Sequence, residues 1–292
     1  MTIRTDAELA MSLADHLKPG DSVIQPGRRD IARASRLQRR RRMLFFERVA
    51  APVLGASLII GWEIAARYSG ISDFVLPRPS AILARMIASY PLLLTHGAVT
   101  ATEVIGGFAL AAVVGVGIAL LIFYSRILEV ALYPILIALQ TIPKIALAPL
   151  IVLYFGYGWG PKLFLSFFIS FFAVMVATVV AFKSLDQGYA NLARSMGASE
   201  RQIFLKIRLP AALPAIFGSL KVALTLAVIG AVLGEYVASE RGLGYIQLQA
   251  NSNFDTTLNF AAVTSIALLG VGLYVLLLVA ERVLITRRSS SR

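Results

Sequence analysis

The stretch Ser184-Leu-Asp-Gln-Gly-Tyr-Ala-Asn-Leu-Ala-Arg-Ser-Met-Gly197-Ala-Ser-Glu-Arg-Gln-Ile-Phe-Leu-Lys-Ile-Arg-Leu209-Pro210 is a polar interruption between long apolar runs. Within it Leu185, Tyr189, Leu192, Ala193 and Met196 recur at helical intervals and share one face of a helix. Gly197 breaks that pattern. Ser199 followed by Gln202 has capping-box spacing and starts a second short helix, which carries Ile203, Phe204 and Ile207 on one side until Pro210 stops it. The segment reads as helix, glycine turn, helix. Both apolar stripes must lie against something: a partner protein, the bilayer surface or the chain's own bundle.

The chain around this segment is apolar enough to decide its solvent. Of 292 residues 58% are hydrophobic and 15% charged, with a mean hydropathy of +0.75, which marks an integral membrane protein. The net charge of +12 would suit nucleic acid, but Lys and Arg gather at the ends of apolar runs, where membrane orientation requires them. Nucleic-acid binding is the weaker reading. Cysteine is absent, so disulfide and thiolate chemistry are excluded, and His16 and His96 are too far apart in sequence to suggest a metal site. No G-x-x-x-x-G-K-[ST] phosphate loop occurs, so any ATP is expected on another subunit and no cofactor is expected on this one.

Residues 1–43 are polar and end in Arg39-Arg-Arg-Arg42; they read as a cytoplasmic tail, or as a basic amphipathic helix on anionic lipid, and not as a cleavable signal. Six spans are expected near 44–67, 96–123, 127–155, 162–182, 214–237 and 259–285, in one domain over 44–286, with 287–292 as a short tail. The arginines before span one place the N-terminus in the cytoplasm, and six spans return the C-terminus there. Between spans one and two, Leu76-Pro77-Arg78-Pro79-Ser80 forbids a continuous helix, and Ser80 is expected to cap a short surface helix. Gly107, Ala111, Gly115 and Ala119, one turn apart in span two, predict a close helix–helix contact. Glu103 in the same span is a functional candidate at membrane depth, or a carboxylate hydrated or paired near the interface. Span three is broken at Gln140-Thr141-Ile-Pro143-Lys144 and again at Pro149, which predicts a bend around a polar cavity; the alternative is a simple kink with Lys144 snorkelling. Glu235 ends span five, with Arg241 or Lys144 as its expected partner.

The central stretch resembles a known family. Asn191-Leu192-Ala193, three residues, Gly197, nine residues, Ile207, Arg208, Leu209-Pro210 reproduces the spacing of the cytoplasmic loop of permease subunits in bacterial ATP-binding-cassette importers, with Asn191 and Leu192 where that pattern has Glu and Ala. The resemblance covers about residues 55–285, and the Leu-Pro-x-Pro-Ser stretch is similar to the sulfonate, nitrate and taurine branch. It implies an all-α membrane protein of six transmembrane helices with the type I ABC importer permease fold. It implies that 184–210 is a coupling loop, with Asn191, Leu192, Ala193, Met196, Gly197, Phe204, Ile207, Leu209 and Pro210 meeting a cytoplasmic ATPase that carries ATP-Mg. Gln140, Thr141, Lys144 and Glu235 become pathway candidates, and 238–245 resembles the family's external re-entrant segment. The expected partners are that ATPase, an external substrate-binding protein, a second permease copy in a homodimer, and membrane lipid. The location implied is the bacterial inner membrane, and the solute a small organic or inorganic anion such as a sulfonate, taurine or nitrate. A stand-alone secondary transporter or channel is the alternative; it would need midplane carboxylates or inverted repeats. A membrane enzyme would need a His, Cys or carboxylate cluster.

Overall fold

The computed structural model describes residues 50, 52–70 and 72–289. The basic tail expected over 1–43, the first residues of the expected first span, and 290–292 lie outside that range. All regular structure among the described residues is helical. In the unit that ends at Gly61, residues 52–61 are helical and expose Val53, Leu54, Leu58, Ile59 and Ile60; that helix, α1, covers 52–68.

In the unit from Trp62 onward, α2 (Pro79–Ala88) precedes α3 (Tyr90–Tyr124). Next come α4 (Arg126–Gln140), a 3-10 turn (Lys144–Leu147), α5 (Ala148–Phe155) and α6 (Trp159–Lys183). The central segment holds α7 (Gln187–Ser195), α8 (Glu200–Ile203) and a π-turn (Phe204–Arg208), followed by α9 (Leu209–Ala238), α10 (Leu243–Ser252) and α11 (Thr256–Ser289). Among the described residues four stretches are long and apolar enough to cross a membrane: α3, α6, the run Glu200–Ala238, and Thr256–Val283. The pair Arg126–Gln140 and Lys144–Phe155, bent by 85°, makes a fifth if counted as one span.

The centre of this unit is α6, packed between α3 and α9. The small-residue stripe expected on span two is buried as expected: Gly107, Ala111, Gly115 and Ala119 all face inward. A methyl group on Gly107 would run into Ser166 and come within 2.8 Å of the Phe167 nitrogen. On the other side of α6, Cβ atoms on Gly230 and Gly234 would stand 2.6 Å from Ser166 Cα and 2.7 Å from Lys162 Cα. These glycines let three backbones touch, and the Ser166 hydroxyl donates to the Ala227 carbonyl at 3.0 Å across the contact.

Several expectations about prolines and caps are corrected. Pro149 does not interrupt a helix; it stands in the first turn of α5, where no N–H is needed. Pro91 likewise opens α3, which begins six residues earlier than the expected 96. Ser80 does not cap α2: its N–H and hydroxyl both donate to the Glu63 carboxylate, at 3.0 and 2.8 Å, so an acid from α1 closes that helix end. Pro210 does not stop the second short helix. The π-turn before it widens the coil, with the Leu209 N–H reaching back to the Phe204 carbonyl, so the ring enters as the first turn of α9.

Candidate functional site

The central segment folds as helix, turn, helix. Asp186 accepts from the Gly188 N–H at 2.8 Å and starts α7. Gly197 sits at φ +83, the left-handed conformation that ends a helix, with open space where a side chain would be. Ser199 and Gln202 close a complete capping box on α8. Arg194 ties the two helices together: its guanidinium contacts the Glu200 carboxylate at 2.5 and 3.2 Å and the Asn191 side-chain oxygen at 2.9 Å. Asn191 thus works inside the loop.

The two apolar stripes part company. On α7, Ala190 is buried while Tyr189 and Leu192, with Met196 at the C-cap just beyond it, are exposed. On the following turn Ile203 is buried and Phe204 stacks against Phe123, Tyr124 and Phe182 at ring separations of 5.4–6.2 Å. Phe204 therefore packs on its own bundle, which corrects its expected place among partner-facing residues; Ile207, Leu209 and Pro210 are half-buried beside it. Arg208, almost fully buried, donates to the Phe182 carbonyl at 2.9 Å and lies 4.7 Å from the Phe123 ring. One half of the segment is an anchor and the other presents an uncovered apolar face.

At the far end of α6 a buried polar cluster joins α3, α6 and α9. Glu103 is fully buried and paired with Lys162, whose ammonium also donates to Ser239 Oγ at 3.0 Å. Glu235 lies beside Glu103, accepts from Thr100 Oγ1 at 2.6 Å and from the Gly244 N–H at 2.5 Å, and pairs with neither Arg241 nor Lys144. Its carboxyl is packed on Gly242, at φ +121, so closely that a side chain there would overlap it. The Gly242 N–H donates to His96 Nδ1 at 3.0 Å and the Leu243 N–H to Thr100 at 2.8 Å. These contacts seat the turn 239–244, which leads into α10 instead of remaining irregular throughout.

The chain breaks at 140–144, and Lys144 folds back on the helix end it leaves. Lys144 Nζ donates to the Gln140 carbonyl at 2.8 Å, covering the C-terminal end of α4, and rests 5.1 Å from the Phe172 ring. Thr141 is exposed and donates to the Ala138 carbonyl at 2.7 Å. Glu235 belongs to the other cluster and is not brought to this bend.

Residues 111–290 match the family described as binding-protein-dependent transport system inner membrane component. The chain is a permease of this family. A formylaminopyrimidine transport permease protein from Halalkalibacterium halodurans is 40% identical over 73% of this chain and 86% of its own. A riboflavin transport system permease protein from Chloroflexus aurantiacus is 36% identical over 82% and 90%. A Bacillus subtilis permease named for aliphatic sulfonates is 31% identical over 75% and 80%. The permease also shares its fold with a chain of the MetNI methionine ABC transporter in an inward-facing conformation, with a TM-score of 0.56 at 20% identity over 68% of this chain and 97% of the other.

Sequence reasoning about the permease missed Lys162, Thr100 and Arg208 as structural centres. Lys162 follows Gly-Trp-Gly-Pro at the start of a span and reads as an interfacial charge; only its spacing to Glu103 across two helices gives it a partner. Lys221 and Glu281, paired at 2.7 Å between α9 and α11, and Glu129, held by Arg126 and Lys183, were equally hidden.

Proposed function

We propose that this permease lines the path of an ATP-driven importer, paired with a second copy of itself in a bacterial inner membrane, with both termini cytoplasmic. A separate soluble ATPase carries ATP-Mg, since this sequence has no phosphate loop. An external binding protein delivers the solute. The single observation that carries the coupling assignment is the exposed stripe Tyr189, Leu192 and Met196, mounted on a segment locked to the bundle by Arg208 and Phe204. A rigid helix presenting apolar side chains at this spacing fits a groove on a partner protein. Closure of the ATPase pair would move that helix and switch the bundle between inward and outward opening.

For the solute, the reading we favour is a small heteroaromatic compound of the vitamin-precursor kind, because the relatives named for a formylaminopyrimidine and for riboflavin are 40% and 36% identical, above the 31% of the sulfonate permease. The sulfonate reading keeps Lys144 as its support, a cation at the membrane-depth break whose hydrogen bond goes to a backbone carbonyl.

Affinity capture from gently solubilised native membranes, followed by mass spectrometry, is expected to bring down a stoichiometric soluble ATPase bearing a phosphate loop. Capture of the permease alone, with uptake retained in vesicles without ATP, would refute the importer reading in favour of a stand-alone transporter. ATP-dependent accumulation of ethanesulfonate, and of neither formylaminopyrimidine nor riboflavin, would move the solute to the second reading.

A further inference from the structure

The start of α6 lies at the opposite end of that helix from the segment 184–208, and it opens without a side-chain cap, behind Gly158 at φ +131. Beside it is a cavity of about 660 Å³ whose walls include Tyr157, Trp159, Lys162, Tyr236, Ser239 and Arg241. Lys162 is 5% exposed. Its ammonium, paired with Glu103 and donating to Ser239 Oγ, forms part of the cavity wall. An ammonium carries three N–H donors, so Lys162 can add a ligand's acceptor to these two partners.

The charges around the cavity select the kind of acceptor. Lys162 is offset by Glu103 behind it, and Arg241 by Glu240, which lines the same cavity. Two cations against Glu103 and Glu240, with Glu235 beside Glu103, leave no net positive field for a sulfonate or phosphate. A neutral acceptor, such as a ring carbonyl or ring nitrogen, can accept from Lys162 without needing such a field. Tyr157 and Trp159, both exposed, add flat faces at the rim.

We infer that this cavity is where the solute first rests in the permease, and that it takes a planar heteroaromatic ring, stacked on Trp159 or Tyr157, whose acceptor atom meets Lys162 and Arg241. The inference rests on the heteroaromatic reading above. Thr100, Glu235 and Glu103 then act as positioning residues: they hold Lys162 and the turn 239–244 that form the walls.

The sequence contains two tryptophans, Trp62 and Trp159, and Trp62 packs elsewhere, against Phe260. A Trp62→Phe variant of the permease, assembled in nanodiscs with tryptophan-free variants of its ATPase and of the scaffold protein, leaves Trp159 as the sole indole reporter. Titration with riboflavin or formylaminopyrimidine is expected to quench its emission saturably. Tyr157→Ala, at an exposed position that the fold tolerates, is expected to raise the half-saturating concentration about three- to tenfold, and Arg241→Gln about tenfold. Ethanesulfonate is expected not to displace either ring. Non-saturating quenching in complexes that still take up the ring solute would overturn the cavity site and leave the proposed function standing. So would a Tyr157→Ala variant with unchanged quenching and unchanged uptake KM, which would assign these rings to the membrane interface. Displacement by ethanesulfonate, with uptake of the sulfonate alone, would overturn the cavity assignment and the heteroaromatic reading together.

Discussion

Truncating Leu192 and Met196 together to Ala separates docking from folding. The two residues are 61% and 80% exposed. Their loss should shift the unfolding free energy of the isolated permease by less than about 0.5 kcal/mol, the ordinary range for surface changes. Burying a whole Leu or Met side chain is worth about 1.5–3 kcal/mol. The fractions left uncovered here put about 1–2 kcal/mol on each once a partner groove closes over it, or about 2–4 kcal/mol for the pair. That corresponds to roughly a 30- to 1,000-fold weaker affinity for the ATPase. The assay is biolayer interferometry of purified ATPase against nanodisc-embedded permease, with thermal unfolding and ATP-driven uptake measured on the same preparations. Affinity within twofold of native, at native stability, would refute the docking assignment. Phe204→Ala is the contrasting control: its ring lies against Phe123, Tyr124 and Phe182, so it should cost about 2 kcal/mol of stability, around half the value for emptying a full core site.

Three further changes test the packing and the buried charges. Gly107→Leu forces a side chain into Ser166 and the Phe167 backbone and should destabilise by at least about 1–3 kcal/mol, read as a lowered melting temperature; unchanged melting would mean that α3 and α6 are not in contact. Lys162→Met strands Glu103 in the interior and should cost about 3–5 kcal/mol, while the double change Lys162→Met, Glu103→Met recovers most of it; additive losses would argue against the pair. Gly197→Val should cost about 1–2 kcal/mol or more because of φ +83 and weaken ATPase coupling. Gly197→Asn, which tolerates that conformation, should restore most of both, whereas equal damage from Asn would point to a lost close contact instead.

Periodicity and spacing made much of this fold legible. The helix, turn and helix of 184–208, the buried stripe on span two and the break at 140–144 each depend on neighbours in sequence, and each is present in the structure. What escaped depends on residues distant in sequence. Phe204 and Met196 both read as members of amphipathic stripes, yet one packs on the aromatic end of α3 and the other is uncovered, because only the folded bundle says which stripe has something to lie against. Pro210 reads as a stop because a regular α-helix excludes it, and a single wide turn removes the exclusion. Glu235 reads as a partner for Arg241 or Lys144, the nearest cations by pattern, whereas its oxygens are taken by Thr100 and the Gly244 amide. Glu103 and Lys162 lie 59 positions apart, and a span-by-span reading cannot join them.

The π-turn at 204–208 has a mechanical consequence. It joins the anchored half of the central segment to α9 as one helical run of 39 residues, Glu200–Ala238. At 1.5 Å per residue such a rod is about 58 Å long. One tip carries Arg208 and the capping box; the other carries Glu235 and the turn 239–244. Pivoted at its foot, the rod converts a tilt of about 5° into a sideways sweep of about 5 Å at the opposite tip, from that length and simple geometry. A break at Pro210 would have made the foot a free joint and absorbed such a tilt. The wide turn makes the anchored loop and the distant polar cluster the two ends of a single helical run.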